Sequence, residues 1–167
     1  PALLSQVRQA FKKVGDPRRY GQKFSLPDIL MSGLAVFSLK YPSLLKFDEQ
    51  RDEARIRANL KSLYGVERAP CDTQLRTVLD RVNPAEIRAP FIEINRRLYQ
   101  QGLLESFRFL GGFLISIDGT REFASSNIHC SDCCIRHHRN GEITYYHQLL
   151  GAVIVHPDQK QVIPLFP

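Results

Sequence analysis

The sequence predicts an α+β protein: a basic helical region over residues 1–110, followed by an antiparallel β-meander over residues 111–167. Three observations carry that prediction. Apolar residues recur at three- and four-residue spacing through the first two thirds of the chain, and then alternate from Gly111 onward. The charge divides at the same place: residues 1–110 hold 19 Lys/Arg against 12 Asp/Glu, a net of +7, and residues 111–167 hold 4 against 5, a net of −1. Finally, 167 residues with 43% hydrophobic and 24% charged residues are ordinary globular values, enough for one domain or slightly more, and they exclude wholesale disorder.

Leu3, Leu4, Val7, Ala10, Phe11 and Val14 fall at helical spacing and open the chain with an amphipathic helix. The basic segment Gly15-Asp-Pro-Arg-Arg-Tyr-Gly21 interrupts it with glycines and a proline. Ser25, followed by Pro27 and Asp28, gives the next helix a hydroxyl cap and a proline and an acid in its first turn. That helix runs through Ile29, Leu30, Leu34 and Phe37 to about Lys40, and Pro42 ends it. Ser43 starts another, through Leu44, Phe47, Ile56 and Leu60 to a stop at Gly65, with Glu53 and Arg57 spaced to pair. Asp72 is the expected cap of the following helix, whose apolar stripe is Leu75, Val78, Leu79 and Val82. Asn83-Pro84 breaks it and begins a helix that turns Ile87, Phe91, Ile94 and Leu98 inward and ends at Gly102. Strands are expected at residues 113–118, 145–155 and 161–165, with residues 156–160 as a hairpin turn. Alternation in the first strand puts Leu114, Ser116 and Asp118 on one face and Phe113, Ile115 and Ile117 on the other.

Composition narrows the function classes. The longest purely apolar run, residues 149–155, is far short of a membrane span. No charged-then-apolar export signal opens the chain, and its start at Pro1 without an initiator methionine points to a fragment. Of the four cysteines, Cys130, Cys133 and Cys134 fall within five residues and only Cys71 lies apart, a spacing that suits a reducing cytosol better than a disulfide framework. The net charge of +6 and pI of 9.3 suggest a polyanionic partner, most simply nucleic acid. Arg18, Arg19 and Lys23 flank Tyr20 in a broken loop that suits phosphate contact. Arg76 and Arg81 ride on a helix that follows another after a glycine-containing connection, as in a helix-turn-helix, and Arg96 and Arg97 are further DNA-binding candidates. Charged helix faces such as that of Arg76 and Arg81 are usually just solvated faces.

Two constellations carry chemistry. Asp118 ends an apolar strand and precedes Gly119-Thr120, so its carboxylate either ligates a hard divalent cation at the mouth of a sheet or caps a turn. The second is His129-Cys130-x-x-Cys133-Cys134-x-x-His137-His138, with His147 further on. Cys130 and Cys133 with one or two of His137, His138 and His147 satisfy a tetrahedral zinc ion, and His137 and His147 with both thiols complete a four-ligand set. The alternative is a polar loop with free thiols, in which Arg136 and Arg139 reach phosphates. His147 either faces Asp118, orienting water or a phosphate, or is a half-buried strand histidine.

Residues 117–126 (Ile-Asp-Gly-Thr-Arg-Glu-Phe-Ala-Ser-Ser), Cys130-Ser-Asp-Cys133, Tyr146-His-Gln148, Val155-His-Pro157 and Val162-Ile-Pro-Leu165 resemble DDE-type transposases of bacterial insertion sequences. Asp72-Thr-Gln-Leu-Arg76 is similar to that family's N-terminal region. The resemblance implies that residues 111–167 are the first three strands of an RNase H-like nuclease domain and that Asp118 is the first catalytic aspartate, a ligand of Mg²⁺ or Mn²⁺. It implies cleavage and strand transfer in DNA transposition, with transposon ends and target DNA as partners. It also implies a homodimer in the transposition complex, no membrane, and a cytoplasmic, nucleoid-associated bacterial protein. The family also needs a second aspartate on a later strand and a glutamate on a later helix. Asp158 in a turn and Glu142 in a loop fill neither place. In-line cleavage by two metals about 3.5–4 Å apart needs more than one carboxylate. The 167 residues are therefore expected not to cut or join DNA by themselves. The alternative is a non-catalytic DNA-binding transposase remnant or repressor, stabilised by Zn²⁺. A sheet of three strands is expected to leave an edge and a face uncovered.

Overall fold

The helix starts are made by the side chains that the sequence supplies at them. In the computed structural model, which describes residues 2–19 and 23–166, Ser25 Oγ accepts from the Asp28 N–H at 3.2 Å and donates to Asp28 Oδ2 at 2.7 Å. This opens helix α2 (Leu26–Ser38) after α1 (Ala2–Phe11). Asp28 also receives Arg8 Nη2 at 2.5 Å, so the cap of α2 is tied to α1. Ser43 Oγ accepts from the Lys46 N–H at 3.1 Å and opens α3 (Leu44–Gln50).

The single helix expected from Ser43 to Gly65 is divided. Arg51 donates to Asp48 Oδ1 at 2.6 Å and to the Ala69 carbonyl at 2.7 Å, and the chain turns there before α4 (Ala54–Asn59). Glu53 and Arg57 meet through the backbone, Arg57 N–H donating to the Glu53 carbonyl at 2.9 Å. A π-helical turn (Leu60–Tyr64) continues α4 and stops at Gly65, whose φ of +66° is the left-handed cap a glycine adopts without strain. Cys71, not Asp72, is the cap of α5 (Asp72–Leu79); Asp72 is its first residue and accepts from the Thr73 N–H at 2.6 Å. Asn83 Oδ1 caps the 3₁₀ turn Pro84–Ile87, which leads into α6 (Arg88–Gln100).

The chain forms two units, residues 1–94 and 95–167, with the division inside α6. The first is helical. Ile29, Met31, Phe47, Leu60, Val66 and Leu75 are fully buried at its centre; Ile29, Phe47, Leu60 and Leu75 lie on the stripes that the periodicity marks, Met31 and Val66 do not, and Phe37, expected on the α2 stripe, is exposed. A side chain at Gly33 would bring its Cβ to 3.3 Å from Leu79 Cδ1, so the glycine lets α2 and α5 pack closely.

The second unit is an antiparallel sheet of five strands: β1 (Arg108–Phe109), β2 (Gly112–Ser125), β3 (Cys134–His137), β4 (Ile143–Val155) and β5 (Ile163–Phe166). Together with the six α-helices this makes the described residues an α+β chain. β4 is central and pairs with β2, β3 and β5. Its register against β2 runs from Leu114↔Val155 to Ser125↔Tyr145, with a bulge between Arg121 and Phe123. A small core of Leu104, Phe107 and Ile154, with Leu98, Phe113, Ile163 and Leu165 against it, sits at one end. There Asn95 Nδ2 donates to the carbonyls of Pro164 at 3.2 Å and Leu165 at 3.0 Å. Away from that core both faces of the sheet carry exposed apolar side chains, Ile117 at 65% and Leu150 at 67% on one and Leu149 at 37% on the other. The sequence reading lacks β1 and β3, and β2 runs on to Ser125, past the expected end at Asp118. No helix among the described residues is long and apolar enough to cross a membrane.

Candidate metal centre

Asp118 is exposed in the middle of β2, opposite Gly151, not at a strand end. The strand continues because Gly119, Thr120 and Arg121 keep pairing, with Leu150, Leu149 and Gln148. Its Oδ1 accepts from the Gly119 N–H at 2.8 Å, which leaves the second oxygen free for a cation. Among the described residues no second carboxylate joins Asp118 in a group of three metal donors. His147 lies four residues from Gly151 along β4, about 13 Å at strand rise, and so is not a neighbour of Asp118.

His147 is turned to the thiols. Its Nε2 is 3.3 Å from Cys130 Sγ and 3.4 Å from Cys133 Sγ, and the two sulfurs are 3.7 Å apart. These three side chains could hold a metal ion. The turn from Cys130 to Cys133 is closed by its own backbone: Cys133 N–H donates to the Cys130 carbonyl at 3.3 Å, and Cys130 N–H reaches Cys133 Sγ at 3.4 Å. Upstream, Ser125 Oγ accepts from the N–H groups of Asn127 and Ile128, setting the direction in which the chain leaves β2.

The hairpin register decides which histidine joins. β3 pairs Cys134↔Tyr146, Ile135↔Tyr145, Arg136↔Thr144 and His137↔Ile143. Continued by one position, it sets Cys133 opposite His147. His137 is four positions away, about 13 Å along the ribbon, and lies outside the thiol group. His138 is engaged elsewhere, its Nε2 2.9 Å from Thr144 Oγ1. Cys134 shares the face of Tyr146, opposite to that of His147. Around the cluster the His129 ring stacks on Tyr145 with centroids 4.2 Å apart, and Arg121 lies 4.7 Å over the Tyr146 ring. The sequence reading gives Tyr145 and Tyr146 no part in the site, because their ring partners become neighbours only through the β2–β4 and β3–β4 pairings.

The basic candidates divide between the units. Arg18 is spent on structure: it donates to both oxygens of Asp16, at 2.9 and 2.7 Å, and to the Phe24 carbonyl at 3.0 Å. The hydrogen bond from Arg18 holds the Asp16 carboxyl below its ordinary value. Arg19 and Lys23 are exposed in the same loop, and Tyr20 lies outside the described residues. Arg76 is exposed at the outer face of α5, 3.8 Å from Asp72, and Arg81 is exposed just beyond that helix. The connection before α5 spans residues 65–71, longer than the roughly three- or four-residue turn of a helix-turn-helix. Arg96 and Arg97 belong to the other unit, where Arg96 Nη1 donates to Gln100 Oε1 at 3.0 Å and Arg97 is half-buried.

No family model, curated protein or solved structure matches the chain.

Proposed function

We propose that the chain belongs to a DDE-type transposase and contributes a DNA-binding helical unit and the first strands of an RNase H-like nuclease domain. The observation that carries the reading is Asp118: an exposed carboxylate on β2, the first long strand of an antiparallel meander β2–β4–β5 in which β4 is central. Its cations are Mg²⁺ or Mn²⁺ at Asp118, where a hard oxygen donor suits them, and Zn²⁺ at the thiol and imidazole cluster, where soft donors suit it. In an assembled site Asp118 would be one of three carboxylates holding divalent ions, which would supply activation of the attacking oxygen and stabilisation of the leaving one. Cleavage and strand transfer both exchange one phosphodiester for another bond at phosphorus, so no energy cofactor enters.

The DNA contact is assigned to the helical unit, which holds 16 Lys/Arg against 11 Asp/Glu over residues 1–94. Arg19, Lys23, Arg76 and Arg81 are its exposed candidates. Four phosphate contacts predict that log affinity for duplex DNA falls with log salt at a slope of about −3.6. A mobility-shift titration of the chain on a duplex, from low to physiological salt, measures that slope. The double variant Arg76→Glu/Arg81→Glu is expected to flatten it by about two. A salt-independent response, or one that the double variant leaves unchanged, overturns the assignment.

A further inference from the structure

Cys130, Cys133 and His147 stand in a geometry that hydrogen bonding alone does not explain. An imidazole Nε2 has one lone pair or one N–H, and so makes one directed bond. Here two sulfurs approach it at once, at 3.3 and 3.4 Å, and lie 3.7 Å from each other. A shared cation accounts for all three separations. With Zn–S near 2.3 Å and Zn–N near 2.0–2.1 Å, a tetrahedral ion sets its sulfurs about 3.8 Å apart and each sulfur about 3.6 Å from the nitrogen. The observed triangle lies within about 0.3 Å of that on every edge. The Cys130 N–H directed at Cys133 Sγ is the backbone donor that a metal-bound thiolate accepts.

We infer that these three residues bind one zinc ion, with water as the fourth ligand, and that the ion locks the register of β3 and β4. Among the described side chains no other donor joins the group, and the proposal assigns the fourth vertex to water. Binding forms two Zn–S bonds and one Zn–N bond; the two thiol protons and all but one of the waters of the aqueous ion go to solvent. The register follows from the pairing. Cys133 is one residue before Cys134↔Tyr146 and therefore faces His147 across the ribbon. A slip of one residue carries His147 to the opposite face and breaks the site. The lock is needed here because β3 has only four residues, all exposed, and joins no hydrophobic core cluster. The inference rests on zinc as the ion of this cluster and not on the transposase reading: zinc can be present in a chain that binds no DNA.

The test uses the full chain purified without chelator under reducing conditions. Elemental analysis is expected to give about one zinc per chain. Replacement by Co²⁺ is expected to give the visible bands of a tetrahedral ion together with sulfur-to-cobalt charge transfer. Cys130→Ser and His147→Ala are each expected to weaken zinc binding by more than about 100-fold, while His137→Ala and Cys134→Ser leave it unchanged. His147→Cys keeps a tetrahedral donor set and is expected to retain the metal with stronger charge transfer, which separates lost coordination from lost folding. Hydrogen exchange at residues 134–147 is expected to quicken at least tenfold when zinc is removed. Zinc far below stoichiometric with no cobalt spectrum, a Cys130–Cys133 disulfide in the reduced preparation, metal retained by His147→Ala, or exchange that ignores the metal each overturn the inference.

Discussion

Replacing Asp118 by threonine separates a carboxylate kept for chemistry from one kept for the fold. Aspartate and glycine are both poor strand residues, and Asp118 faces Gly151 in the middle of the β2–β4 ladder. Its described hydrogen bond is an exposed one, from the N–H of the next residue, which water replaces at little cost. Strand preference spans about 1 kcal/mol in host proteins, so threonine is worth about 0.5–1 kcal/mol here. Less a few tenths for the lost hydrogen bond, the variant is expected to be more stable than the parent by about 0.3–0.8 kcal/mol. For a unit spanning residues 95–167 that raises the midpoint of thermal unfolding by about 1–6 °C. Circular dichroism melts of the chain and its Asp118→Thr variant measure the shift. A parallel Mn²⁺ titration, read by water proton relaxation, follows the weak ion site and is expected to lose it. A gain in stability with loss of Mn²⁺ marks a residue retained against the interest of its strand. Destabilisation by more than about 1 kcal/mol refutes the reasoning, because it makes the carboxylate a structural cap.

Phe47 is fully buried in the helical unit and meets the Tyr41 ring edge-on with centroids 5.2 Å apart; Phe47→Ala is expected to cost about 3–5 kcal/mol, read as a lower urea midpoint. Asp16 has a folded-state pKa below the ordinary 3.8, so its pair with Arg18 stabilises the loop above that value and loses its effect as pH falls through the depressed one. Asp16→Asn is therefore expected to cost about 0.2–1 kcal/mol at neutral pH, the range of a solvent-screened pair, and nothing in strong acid; equal melting curves for the two proteins at neutral pH contradict this.

The helical unit was legible because its signals are local. Ser25, Ser43, Gly65 and Asn83-Pro84 act within one turn of where they stand, and each ends or begins a segment as read. The break after Gln50 was not legible, since it depends on Arg51 reaching the Ala69 carbonyl, 18 residues away. β3 was missed for a related reason. Cys134-Ile-Arg-His137 has no apolar alternation of its own and becomes a strand by pairing with a β4 already held against β2. The metal cluster was half legible. The Cys-x-x-Cys spacing names the thiols, but choosing among His137, His138 and His147 needs the hairpin register, and a reading that lacks β3 has no register to apply.

The bulge in β2 bears on the same choice. Before it, β2 and β4 pair as Asp118↔Gly151 through Arg121↔Gln148; after it, as Phe123↔His147 through Ser125↔Tyr145. Carried on without the bulge, the first register puts residue 122, a glutamate, opposite His147. The extra residue moves Phe123 there, with its ring centroid 6.3 Å from that of the imidazole. Asp118 pairs with Gly151, and the alternation of β4 puts Gly151 and His147 on one face of the sheet, four positions apart. At about 13 Å these are two sites and not one. A hard ion proposed at Asp118 and a zinc ion proposed at Cys130, Cys133 and His147 would therefore be held by separate donors.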